Sequence, residues 1–176
     1  MTSQSFYTGF FQNENNREYW KERLATLETV DPKRSPLFEA IHLFANWKIQ
    51  NDYKKGLASA EKFEEMAKAS YERNWFWLLV YCLETIVYVY KVLGYNDQLK
   101  SISKTISNYL EEKKDVFPTH TVLELARLFN TILVNSNRKD IENIYKVLND
   151  FSDKKVNEDP FHFQRSFLFK LIPNSP

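Results

Sequence analysis

Apolar residues recur at three- and four-residue intervals along most of this chain, and each run stops at a residue suited to ending a helix. Asn15 or Asn16 can cap a first helix to about Thr29, with Tyr19, Trp20, Leu24 and Leu27 on one face. The stretch Val30–Ser35 interrupts it. Ser35-Pro36 then reads as an N-cap with proline at the first helical position, opening a helix to about Gln50. Its apolar stripe is Leu37, Ile41, Phe44, Ala45 and Ile49. The next helix covers about Gly56–Arg73, with Leu57, Ala60, Phe63, Ala67 and Tyr71 on one side. Lys62, Glu65, Lys68 and Glu72 form its solvated side.

Trp75–Leu93 departs from this pattern, being apolar nearly all round until Gly94 offers a helix stop. Such a helix is either central in a bundle or a membrane span. Aromatic residues near both ends favour the span. Glu84 and Thr85 near its middle oppose it, since an ionised group at the bilayer centre costs about 2.5–3.5 kcal/mol. Amphipathic helices on either side can cover it, so a buried central helix is the expectation.

Beyond it, Asn96–Glu112 carries Leu99, Ile102, Ile106, Tyr109 and Leu110 on one stripe, and Val116-Phe117-Pro118 breaks the run. Thr119 reads as the cap of a helix to about Asn135, followed by one over Asn137–Phe151. Ser152–Glu158 reads as a polar loop. Asp159-Pro160 opens a terminal segment, 160–172, in which strand-like alternation competes with a helical start. The expected fold is therefore all-α, with about seven to eight helices in a single domain, 1–176, and residues 1–14 as a flexible lead. The helices group as hairpins at about 35–73, 75–112 and 119–151, a spacing of roughly 35–45 residues. Stacked antiparallel hairpins, an α-solenoid, suit that spacing, and a compact helical bundle is the alternative.

The run Ile86–Ile106 (IVYVYKVLGYNDQLKSISKTI) resembles the turn region of a tetratricopeptide repeat. Tyr90 matches the aromatic of that repeat's first helix, Gly94 the glycine opening its turn, and Ile86 the leucine upstream. Leu99, Ser103 and Ile106 stand where the repeat usually has alanine, an aromatic residue and alanine. The likeness covers about one hairpin. It implies a tetratricopeptide-like stack, and such domains generally bind other proteins.

Composition narrows the chemistry. Only Gly9, Gly56 and Gly94 are glycines, too few for a β-sandwich or barrel with many tight turns. The spacings GxGxxG, GxxxxGK[ST] and GxSxG are absent, so dinucleotide, P-loop and hydrolase-elbow chemistry have no support. His42, His120 and His162 are widely separated, with no HExxH or CxxC, and Arg34 to His42 is too long a step for the arginine–histidine motif of HEPN ribonucleases. Cys82 cannot form an internal disulfide, and the N-terminus lacks a basic and apolar leader, which fits a reducing cytoplasm. Net charge is +1, from 24 basic and 23 acidic residues, which disfavours a polyanion partner. No catalytic, cofactor or metal residue is assigned.

Three features remain as candidates. Glu84, amid apolar neighbours, is a candidate buried polar group paired to Arg127 or a tyrosine, or the acid of an enzyme. Basic doublets at Lys33-Arg34, Lys54-Lys55, Lys113-Lys114, Arg138-Lys139 and Lys154-Lys155 sit at helix ends or loops, where nearby acids dilute most of them. They would serve a nucleic-acid-binding or regulatory domain. Aromatic residues, 16% of the chain, are the strongest hint. Phe6, Tyr7, Phe10 and Phe11 at one end, and Phe161, Phe163, Phe167 and Phe169 at the other, read as solenoid caps or partner surfaces. Trp47, Tyr53, Trp75 and Trp77 are candidate surface anchors. The preferred expectation is a non-enzymatic scaffold that binds a protein or peptide, an N-terminal domain of a larger protein or one detached from it. Nucleic acid and membrane are disfavoured, and a homodimer stays open.

Overall fold

Asn16 starts the first helix: its Oδ1 accepts the backbone N–H of Tyr19 at 3.1 Å, satisfying one of the donors a helix start leaves unpaired. The computed structural model describes residues 15–28 and 35–158. Among them the chain forms seven α-helices and no strand: α1 (Arg17–Glu28), α2 (Pro36–Gln50), α3 (Tyr53–Glu72), α4 (Phe76–Leu93), α5 (Asn96–Lys113), α6 (Thr119–Thr131) and α7 (Arg138–Glu158). The all-α expectation holds. Residues 1–14 and the terminal segment 160–172 lie outside the described residues.

Local chemistry explains where the helix ends differ from expectation. α3 begins at Tyr53 rather than Gly56, because Asp52 caps it by accepting the Lys54 N–H at 3.1 Å. Thr119 is the first residue of α6 and not its cap, a place held by Pro118. α6 stops at Thr131, short of Asn135. The Thr131 hydroxyl donates to the Leu128 carbonyl at 2.7 Å, and the backbone tightens into a 3₁₀ turn over Leu133–Asn135. α7 opens on a reciprocal cap, in which Asn137 Oδ1 accepts the Asp140 N–H at 2.9 Å and Asn137 Nδ2 donates to Asp140 Oδ2 at 2.8 Å. It then runs through Ser152–Glu158, the stretch expected as a loop. That stretch has no glycine or proline, and polarity alone does not end a helix.

The described residues fall into two compact units, divided between Leu93 and Gly94. The hairpin expected over 75–112 straddles that boundary. In the first unit, α2 and α3 form the antiparallel pair expected over 35–73. Gly56 faces Trp47, the Ser59 hydroxyl donates to the Ala40 carbonyl at 2.9 Å, and Lys62 lies 3.8 Å from Glu39. Those three contacts step forward along α3 and backward along α2. α4 returns beside α3: the Tyr90 hydroxyl donates to Glu64 Oε1 at 2.6 Å, and the Phe63 and Tyr81 rings lie 5.9 Å apart. α1 adds Trp20, whose ring is 5.1 Å from Phe44.

α4 is long and apolar enough to cross a membrane by length and composition. Twelve of its eighteen residues are nevertheless buried in the folded chain. Its exposed positions, Trp77, Lys91 and Val92, sit toward its two ends. The second unit buries Ile106, Leu110, Leu125, Phe129, Ile132 and Ile144 in its core, and a polar seam joins α5 to the segment that includes α7. Ser103 Oγ and Ser136 Oγ lie 2.5 Å apart, and Asn143 Nδ2 donates to Ser107 Oγ at 2.9 Å and to Glu111 Oε2 at 3.0 Å. Lys114 pairs with Asp150 at 3.0 Å further along.

The approach of α2 to α3 depends on one missing side chain. A Cβ placed on Gly56 would lie 2.9 Å from Trp47 Cδ2 and 3.1 Å from two more indole atoms, and that ring is walled in by Phe44 at 5.3 Å and Tyr88 at 6.2 Å. Alanine at a helix interior gains about 1 kcal/mol over glycine. Overpacking a rigid ring costs about 1–3 kcal/mol. Gly56→Ala is therefore expected to destabilise the protein by about 1 kcal/mol net, read as a lower midpoint in thermal and urea unfolding. Trp47→Phe in the same background should recover part of the loss.

Candidate functional site

The four aromatic residues expected at the surface part company in the structure. Trp47 is only 3% exposed and is a core residue, a correction to its expected role. Its place on α2 turns the indole into the gap that Gly56 opens. Tyr53, Trp75 and Trp77 are exposed by 54%, 44% and 60%. Phe161, Phe163 and Phe167, with Phe169 and the aromatic residues of 1–14, lie outside the described residues.

The three exposed aromatics do not make one patch. Tyr53 begins α3, and Trp75 follows its end, a helix of 20 residues or about 30 Å in length. At the Trp75 end, Asn74 adopts left-handed backbone at φ 58° and turns the chain from α3 into α4. The Trp75 N–H donates to the Ser70 carbonyl at 2.9 Å, which pins the turn. The Arg73 guanidinium stacks over the Trp75 ring with its carbon 5.0 Å from the centroid, and Trp77 stands out from the first turn of α4. A flat cation stacked on one exposed indole, two residues from a second, gives this turn an amphipathic character.

The Tyr53 end has a different character. Lys48 Nζ donates to the Tyr88 hydroxyl at 2.6 Å and lies 4.8 Å and 4.9 Å from the centroids of Trp47 and Tyr88. Lys55 Nζ donates to Gln50 Oε1 at 2.5 Å. Lys48 and Lys91 lie in the last turns of α2 and α4, where the helix dipole favours a cation. Lys54 and Lys55 lie in the first turn of α3, where it opposes one. The sequence shows the Lys54-Lys55 doublet but hides its setting. Lys48 and Tyr88 are forty positions apart, and only the parallel placement of α2 and α4 brings them together.

The remaining candidate groups are occupied by the fold. Glu84 is buried, 7% exposed, and engaged in polar or electrostatic interaction within the protein. Arg127, one of its expected partners, donates from Nε to Glu124 at 2.8 Å. Burial pushes the Glu124 carboxyl above its usual range, with His120 acting in the opposite direction. Asn46 Nδ2 lies 3.2 Å from His42 Nδ1 and donates to the His42 carbonyl at 2.9 Å, one step of a polar ladder along α2. Among the described residues no cluster of three or more histidine, cysteine or acidic side chains is placed to hold a metal ion.

Cys82 is buried in α4, and burial pushes its thiol up to about 12. An unfolded thiol ionises near 8.5. Across the interval between those values the folded state holds the proton that the unfolded state has lost, so this group lowers stability as pH rises through it. The native protein at pH 8 should resist alkylation by iodoacetamide, with reaction of Cys82 appearing only on adding denaturant. Mass spectrometry of the alkylated chain reads both outcomes.

Comparison with protein-family models, with curated proteins and with solved structures finds no match to this chain, so its function is read from the arrangement of its own residues.

Proposed function

We propose that this chain is a non-enzymatic, tetratricopeptide-like docking module of the cytoplasm, with a protein partner seated on the Trp75–Trp77 edge of its first unit. The observation that carries this reading is the pair of exposed indoles beside a stacked guanidinium. Tryptophan and arginine are the residue types that dominate binding energy at protein interfaces. Here they stand on a short turn whose backbone is pinned by the Trp75 N–H bond to the Ser70 carbonyl, so little backbone entropy remains to be lost on docking. Gly94 supports the tetratricopeptide likeness, since its φ of 76° suits the turn position that glycine takes in that repeat. The burial of Cys82 and Glu84 fits a scaffold better than an enzyme.

The test is an affinity capture from native cells with the full chain as bait, run beside Trp75→Ala/Trp77→Ala. A stoichiometric protein partner should come down with the wild-type chain. The double variant should hold it more weakly by about 2 kcal/mol or more, roughly thirtyfold. Thermal unfolding should shift only slightly, because Trp77 is largely in solvent and Trp75 is nearly half exposed. Equal capture by the variant rejects this edge as the docking surface.

A further inference from the structure

We infer that the opposite end of the first unit, around Lys54, is a second docking site, and that it takes a short acidic peptide segment. The inference goes beyond the tryptophan edge and rests on different residues. Three helix ends meet here: the last turns of α2 and α4 and the first turn of α3, tied by Lys48 to Tyr88 and by Lys55 to Gln50. They bring together Lys48, Lys54 and Lys55 with the carboxylate of Asp52. Asp52 is committed to capping, accepting the Lys54 N–H at 3.1 Å. The next carboxylate along α3, Glu61, lies two turns further on, about 10 Å away. The end is therefore locally cationic in a chain whose net charge is only +1.

Lys48 and Lys91 are explained by the dipoles of the helices they close. Lys54 is not. It is exposed in the first turn of α3, where the helix dipole works against a positive charge, and its ammonium has no partner among the described residues. Lys55 shares the unfavourable position, although it reaches across to Gln50. Placement against the local field points away from stability as the reason for these charges. Beside them stand two exposed apolar groups, Tyr53 and Val92, each 54% exposed. Carboxylates spaced along an extended peptide meet the ammonium groups, and an apolar side chain between them meets Tyr53. A peptide fits better than a nucleic acid because the positive charge of Lys48, Lys54 and Lys55 is confined to a small area, bordered by Glu64, which accepts from Tyr90 on α4.

Fluorescence anisotropy of the full chain tests this with a fluorescein-labelled peptide of aspartate and glutamate carrying one central leucine. Controls are its asparagine–glutamine counterpart and a single-stranded oligothymidylate of matched charge. The acidic peptide should bind saturably and weaken as salt is raised, with the neutral peptide at least tenfold weaker. Lys54→Glu/Lys55→Glu should lose at least about tenfold in affinity while its melting temperature stays level or rises, because glutamate suits a helix start. Trp75→Ala/Trp77→Ala should bind this peptide as the wild type does. The proposal is overturned if the charge reversal leaves affinity unchanged, or if the neutral peptide or the oligonucleotide binds as tightly as the acidic one. Absence of saturable binding, or loss of binding in the tryptophan variant alone, overturns it equally.

Discussion

The indole of Trp47 lies against the backbone of α3 at Gly56, close enough that no side chain fits between them. That approach sets the spacing of the two helices and places Ser59 opposite the Ala40 carbonyl and Lys62 opposite Glu39. It also settles what the other face of the indole can meet. Phe44 packs edge-on to it, Tyr88 tilts across it from α4, and the Lys48 ammonium hangs over both rings. A large aromatic ring brings high burial in one residue, and its planar shape requires that everything around it be fitted. The first unit is organised around that fit.

Such a core makes the two ends of the unit chemically unlike. At one end the turn between α3 and α4 is short, and Trp75 and Trp77 stay partly exposed there, with Arg73 stacked on Trp75. At the other end Lys48 of α2 and Lys55 of α3 come into one neighbourhood beside Tyr88 of α4. An amphipathic edge and a cationic edge about 30 Å apart can engage two points of one partner, or two partners, without competing for space.

Most of the helical layout was legible because apolar periodicity and stop signals agree along the chain. Asn16, Ser35-Pro36 and Gly94 act where the sequence places them. The misreadings share a cause, which is that local composition was weighed without its hydrogen-bond partners. Asp52 capping Lys54 moves the start of α3, Thr131 bonding back to Leu128 shortens α6, and the polar residues after Phe151 lack any breaker. The candidate sites were less legible. Tyr53, Trp75 and Trp77 are exposed as expected, but Trp47 is not, because an aromatic residue on an amphipathic helix reads alike as anchor or core until its neighbour across the gap is known. The meeting of Lys48 with Tyr88 spans forty positions and leaves no periodic trace.

The polar seam of the second unit bears on how the chain folds. In the first unit α2 meets α3 and α3 meets α4, so these two dockings each close only a short loop, and they precede the longer reach of Lys48 to Tyr88. In the second, Ser103 of α5 finds Ser136 thirty-three residues away, and Asn143 of α7 reaches back thirty-six to Ser107. The whole of α6 has to be synthesised and placed before that seam can close. Short-range topologies form fastest, so during translation the first unit can gain its helical pairs while the serines of α5 still wait in water for the strand of sequence that will cover them.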